Sequence, residues 1–284
     1  RGEHGDYDIV AMQPDGSQAT NLGPSWADDL APAWAPDGRH IAFVSLRDTI
    51  SGKWGLENSS IYGMVFDPDT AAAGEVWRIT DDKGSDGWPT WSPDGRRIAF
   101  HSDRNGNWDI WIVNADGSGL VQLTTSPEDD RYPNWGPGDK IAFSSNRGGN
   151  EDIWVLDVNA ALSQGDDSSA VNLTGAAKRD RYPVWSPDGR QLTFNTNRDG
   201  NSEVYVMNAD GSQPRNISNS PKSTEGLAGW SPDGRRLVFY SDRSGNKEVY
   251  TIDLASLPAL GGSPGAWTNI SNHKASDEYC AWSP

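Results

Sequence analysis

The chain of 284 residues has one cysteine, Cys280, which excludes an internal disulfide framework and a cysteine-rich metal site. Its four histidines, His4, His40, His101 and His273, stand at no metal-ligand spacing from one another. Apolar runs stop at four or five residues, too short for a membrane-spanning helix. Basic side chains are the minority, 24 against 40 acidic, and the net charge of −16 opposes non-specific nucleic-acid binding. Hydrophobic residues make up only 35%, below the usual ~45–50%. No G-x-S-x-G elbow, P-loop or G-x-G-x-x-G occurs, so no catalytic residue is assigned. Residues 1–5 carry neither an initiator Met nor a signal-like segment, which reads as a mature or excised piece.

Against these absences stand 14 Trp, 31 Gly and 18 Pro. That many aromatic residues argue against disorder, and that much Gly and Pro against a helical protein. The Trp residues fall in a repeat. WSPDGR occurs at Trp91, Trp185 and Trp230, with near-copies at Trp34 and Trp135, and the chain ends WSP at Trp282. Successive spacings are 57, 44, 50, 45 and 52 residues. Each turn leads into a short apolar strand at Ile41, Ile98, Ile141, Leu192 or Leu237, and an Arg follows: Arg47, Arg104, Arg147, Arg198, Arg243. A second strand opens at Asp109, Asp152, Glu203 or Glu248, and a last short one ends at Leu123, Leu173, Ile217 or Ile270. Pro-Asp-Gly and Asp-Gly supply the turns, and branched and aromatic residues suit the pleated strands.

Four-stranded units of this length predict an all-β protein, a six-bladed β-propeller of antiparallel blades in a single domain over 1–284. Five whole repeats lie between a half repeat in 1–33 and the fragment at Trp282, so the two termini are expected to share one blade. That blade lacks its DGRxIAF strand, and a continuation past Pro284 or another segment is expected to fill the slot, since an open edge is an aggregation hazard.

The repeated WSPDGxxIAFxSxR…DG pattern resembles the six-bladed propeller of the TolB family, over nearly the whole chain. The resemblance implies a periplasmic or extracellular scaffold that binds other proteins on one face of the ring, with calcium near the central channel as a possible cofactor and none required. Related repeats also occur in the propellers of tricorn-type and prolyl-oligopeptidase-type proteases.

Five residues before every repeat Trp sits an acid: Asp29, Asp86, Asp130, Asp180, Glu225 and Asp277. By propeller geometry these ring one mouth of the channel, where carboxylates attract cations or a basic peptide. The competing reading pairs each acid with the repeat Arg of its own blade. In that reading Asp180 faces Asn197, next to Arg198. Asp130 and Asp180 are the candidate metal ligands. The segment DRNGNWD from Asp103 to Asp109 also has oxygen ligands at alternate positions, as a calcium loop does, although a plain hairpin turn explains it too. Trp26, Trp54, Trp88, Tyr132 and Tyr182 are expected on the acid-bearing face as partner contacts, because Trp and Tyr anchor protein interfaces. Insertions at 159–170 and 255–266 read as solvated loops. The preferred function is a non-enzymatic, protein- or peptide-binding scaffold with no membrane span. The alternatives are the propeller of a larger protease or hydrolase, and a carbohydrate-binding propeller.

Overall fold

A computed structural model describes residues 7–23, 25–49, 58–81, 83–175, 177–256, 267–272 and 274–284. Among them the chain forms a two-stranded pair and five four-stranded antiparallel sheets. The pair joins β1 (Val10–Ala11) and β2 (Thr20–Asn21). The first sheet runs β3 (Asp29–Trp34), β4 (His40–Ser45), β5 (Ser60–Asp67), β6 (Ala72–Arg78). The second runs β7 (Asp86–Trp91), β8 (Arg97–Ser102), β9 (Asp109–Asn114), β10 (Val121–Gln122). The third runs β11 (Asp130–Gly136), β12 (Lys140–Ser145), β13 (Asp152–Asp157), β14 (Val171–Asn172). The fourth runs β15 (Asp180–Trp185), β16 (Gln191–Thr196), β17 (Glu203–Asn208), β18 (Arg215–Asn216). The fifth runs β19 (Glu225–Trp230), β20 (Arg236–Ser241), β21 (Glu248–Asp253), β22 (Trp267–Asn269). The chain packs as two compact units, Arg1–Pro133 with Pro284, and Asn134–Ser283.

The expected six four-stranded blades are therefore five among the described residues. A strand exists only where a neighbour takes its backbone hydrogen bonds. The stretch 277–282 resembles β15 in sequence but forms no ladder, and the DGRxIAF strand that pairs with every other such stretch has no counterpart after Trp282 within these 284 residues.

Each sheet's second strand supplies the core. Phe43, Phe100, Phe143, Phe194 and Phe239 are among the largest fully buried side chains. Two of the repeat Trp residues tie neighbouring sheets together. Trp91 Nε1 donates to the Ala33 carbonyl at 3.1 Å, and Trp230 Nε1 to the Val184 carbonyl at 3.1 Å.

The first strand of the first, second, fourth and fifth sheets carries a β-bulge. In all six repeats the second residue after the acid has positive φ: Ala31, Trp88, Tyr132, Tyr182, Leu227 and Tyr279. Four of these precede a proline, which cannot donate to a ladder and is tolerated at a bulge. The bulge shifts the register by one, so Asp180 pairs with Thr196 and not with Asn197.

The insertion at 159–170 is not a plain loop. Residues Val158–Gln164 form a short helix, α1. Asp157 caps it by accepting from Ala160 N, Gly165 closes it at φ 75°, and Val158 and Ala161 anchor it by burial. Most of the second insertion, together with Arg1, His4, His273 and Trp54, lies outside the described residues.

Candidate functional site

In the first, second and fourth sheets the repeat Arg meets the repeat acid directly while its Nε donates to a hydroxyl of the same sheet. In the first sheet Ser45 Oγ donates to Asp29 Oδ1 at 2.5 Å, and Arg47 Nη2 donates to Asp29 Oδ2 at 3.0 Å. In the second, Arg104 Nη2 reaches both Asp86 oxygens at 2.9 and 3.0 Å while its Nη1 pairs with Asp81 at 3.1 Å. In the fourth, Arg198 Nη2 lies 3.0 Å from Asp180 Oδ2. In the third, Arg147 forms an ion pair with Asp167 at 2.6 Å. Each of these guanidiniums also lies over aromatic rings of its own sheet, Arg104 over Trp111 at 5.1 Å and Arg198 over Tyr205 at 5.0 Å.

The repeat acids are largely enclosed, and at Asp29, Asp86 and Asp180 the pairing with the repeat Arg is present. Asp29 is 2% exposed and Asp86, Asp130, Asp180 and Glu225 are 0% exposed; only Asp277 is half-buried. Burial raises Asp29 and Asp86 to about 6, despite their hydroxyl and guanidinium partners. Carboxylates so enclosed are internal ties, not a surface field. The expected Glu225–Arg243 tie is absent. Glu225 Oε1 instead accepts from Ser223 and Ser241 at 2.5 and 2.8 Å, and Arg243 donates to Ser220 Oγ at 3.1 Å.

The acids that open the third strands have a local use. Asp109 accepts from Gln122 and Thr124, Asp152 from Asn172 and Thr174, Glu203 from Ser218, and Glu248 from Ser271. The same hydroxyls accept backbone N–H groups, as Ser218 Oγ does from Val204 N at 2.8 Å. Thr124, Thr174, Ser218 and Ser271 thus clamp the ends of the ladders. Ser218→Ala strands the buried Val204 amide and removes one of several donors to Glu203, and is expected to cost about 2 kcal/mol in chemical denaturation. The DRNGNWD segment is likewise spent on hydrogen bonds: Asp103 accepts from Ser85 N at 2.7 Å, and Asn107 donates to the Ser126 carbonyl at 3.0 Å. Among the described residues no group of three or more His, Cys, Asp or Glu side chains could hold a metal ion.

What the structure does assemble, within the first unit, is an aromatic cluster around His101. Trp88 stacks on the imidazole at 5.6 Å, and Trp108 and Tyr132 meet it edge-on at 4.8 and 5.4 Å. Trp88 and Tyr132 also touch, at 4.8 Å. The Tyr132 N–H donates to His101 Nδ1 at 3.1 Å, which places the ring proton on Nε2. Burial pushes His101 down to about 3, so the ring is neutral at physiological pH. A Cβ on Gly87 would lie 2.5 Å from His101 Nε2, so only glycine fits opposite this histidine. Arg131 covers the Trp108 ring at 4.7 Å and pairs with Asp129 at 2.8 Å.

Trp88, Trp108 and Tyr132 are half-buried, so the cluster is set into the surface rather than sealed beneath it. Of the sequence-selected contacts it unites Trp88 and Tyr132. Tyr182 sits in the second unit, where its N–H donates to Ser144 Oγ at 3.2 Å. Trp26 stands 54% exposed. Sequence reasoning passes over His101 because it has no metal-ligand partner. The available signal is Gly87, which like Gly226 is a glycine where the remaining repeats carry Leu30, Arg131, Arg181 or Glu278.

The family description that matches the chain, over residues 2–166 and 162–279, is that of the TolB beta propeller domain. The chain is 31% identical over 143 residues to the Tol-Pal system protein TolB of Anaeromyxobacter dehalogenans (strain 2CP-C), a match covering 48% of this chain and 28% of that protein. Its fold is similar to TolB from Acinetobacter baumannii, with a TM-score of 0.69 and 24% identity over 90% of this chain and 61% of that one. It is also similar to the tricorn protease, with a TM-score of 0.68 and 16% identity over 95% of this chain and 25% of the protease. At these identities the structural likeness shows the fold alone. The chain spans less than a third of the length of the curated relatives it matches.

Proposed function

We propose, for a chain that belongs to the TolB beta propeller domain family, a non-enzymatic scaffold that binds a protein or peptide partner in a periplasmic or extracellular setting. In this reading 1–284 act as one propeller domain. The observation that carries it is the aromatic cluster of Trp88, Trp108 and Tyr132. Two of its members, Trp88 and Tyr132, stand at the positive-φ position that recurs in every repeat, and the cluster is set apart by the rings gathered there and not by that backbone conformation. Half-buried Trp and Tyr beside an arginine have the composition of an interface anchor. The net charge of −16 favours a basic partner.

The test is capture of partners from a native extract by the unmodified chain and by Trp88→Ala and Trp26→Ala variants, with folding checked by circular dichroism. A partner that the Trp88→Ala chain retains at less than a tenth of the original yield supports the reading. Unchanged capture by both folded variants rejects the cluster as the contact. The likeness to the tricorn protease favours a second reading, that this propeller belongs to a larger peptidase. Peptidase activity in the full gene product, lost on substitution of a nucleophile outside these residues, would establish it.

A further inference from the structure

The fifth sheet breaks the acid–hydroxyl–arginine pattern of the first, second and fourth. In those the acid is Asp, and the arginine turns inward: Arg47, Arg104 and Arg198 each donate Nε to the sheet's own Ser or Thr and Nη2 to the acid. Here the acid is Glu225, one methylene longer. Its carboxyl reaches past the usual position, and Oε1 takes both Ser223 and Ser241. Oε2 is buried and has no hydrogen-bond partner. Arg243 turns outward, donates to Ser220 Oγ, and lies 3.1 Å from the centre of the Trp267 ring. The residue is exposed, unlike its counterparts. Ser220 and Ser223 bridge the two sites through hydroxyls 2.6 Å apart.

A buried carboxyl oxygen with no donor and an arginine of the same sheet with no carboxylate is the arrangement of an acid holding a proton. We propose that Glu225 and Arg243 form a proton-operated latch. With Glu225 protonated, the guanidinium lies outward on Trp267 and Ser220. On ionisation it swings inward to take Oε2, adopting the pose that the molecule already shows at Asp29, Asp86 and Asp180. The outward form presents a guanidinium free for a carboxylate or phosphate; the inward form withdraws it.

The surroundings favour a proton on Glu225. Burial raises it to about 7, and the Glu203 carboxylate across the Ser220–Ser223 bridge adds to the rise. The other titratable groups facing the pair are Tyr240, Asp242, which accepts from Thr224 N, and Tyr250 beneath Arg243. Lys247 is held away over Tyr240 and by Glu278. The proposal does not depend on the partner reading above.

Arginine modification by phenylglyoxal, quantified by peptide mass spectrometry, tests it. Exposed Arg235 serves as the internal reference, so that the reagent's own pH dependence cancels. The Arg243-to-Arg235 ratio is expected to fall about tenfold from pH 6 to pH 8, following the protonated fraction of an acid with a midpoint near 7. In Glu225→Gln, which mimics the protonated form, the ratio stays at its high value at both pH values. In Glu225→Asp, which restores the pairing of the other sheets, it stays low at pH 8. A ratio independent of pH in the unmodified protein overturns the latch, as does a folded Glu225→Gln chain that still shows the fall. If Glu225→Gln does not fold, the glutamate side-chain carboxyl signals of the ¹³C-labelled unmodified protein decide: no buried carboxyl titrating between pH 6 and 8 overturns it.

Discussion

Replacing Trp230 by Ala lowers the stability of the protein by about 3–5 kcal/mol, the range for removing a buried Trp. Trp230 is buried in a core with Val204, Val206, Leu237 and Phe239, and its indole N–H donates to the Val184 carbonyl of the preceding sheet. The substitution therefore opens a cavity and leaves a seam carbonyl without its donor. At a few degrees per kcal/mol for a domain of this size, Tm should drop by about 8–15 °C. Trp26, exposed at 54%, is the matched control. Its replacement by Ala should stay within about 0.5 kcal/mol of the unmodified protein. Equal losses at the two sites in calorimetry would mean that the seams are not where stability resides.

Arg104→Ala is expected to be comparably severe at neutral pH and milder in acid. The Arg104 side chain is 5% exposed and serves Asp86, Asp81 and Ser102 while covering Phe100 and Trp111. Its removal leaves Asp86 as a buried carboxylate facing no cation, at a cost of about 3–5 kcal/mol. Burial already raises Asp86 from 3.8 to about 6. Between those values the folded protein keeps a proton that the unfolded chain has released, so this group's contribution falls as pH rises through the window. Below the window's upper limit Asp86 is neutral with or without Arg104. The difference between the two proteins should therefore shrink from pH 7.5 to pH 5, leaving mainly the lost packing on the two rings. Arg104→Lys keeps the charge without the planar fork and should fall between. A difference that does not change with pH would show that Asp86 does not titrate in this range.

Much of the architecture is legible in the order of the residues. The Trp spacing, the Pro-Asp-Gly and Asp-Gly turns and the IAF-type strands mark out each four-stranded sheet, because turn residues and period-two strands act over a few neighbours. The short helix at Val158–Gln164 escapes a sequence reading although Asp157 and Gly165 stand at its two ends; with only seven residues it has too few turns to show an apolar stripe. The register differs by one from the simple hairpin count because the bulge adds a residue. The Tyr-Pro, Trp-Pro and Ala-Pro pairs are its available signal.

The candidate site is legible in part. Trp88 and Tyr132 stand out by residue type, but their meeting around His101 depends on adjacent sheets. So does the use of Gly87, which matters only because an imidazole lies opposite.

By itself the sequence determined the strands, their turns and the family of the fold, because those depend on contacts close along the chain. Only the tertiary structure decided what the charges do. Whether a carboxylate faces solvent or lies under an arginine depends on what neighbouring strands lay over it. At Asp29, Asp86 and Asp180 that packing turned a repeated acid into an internal tie, and at Glu225 one extra methylene undid the tie.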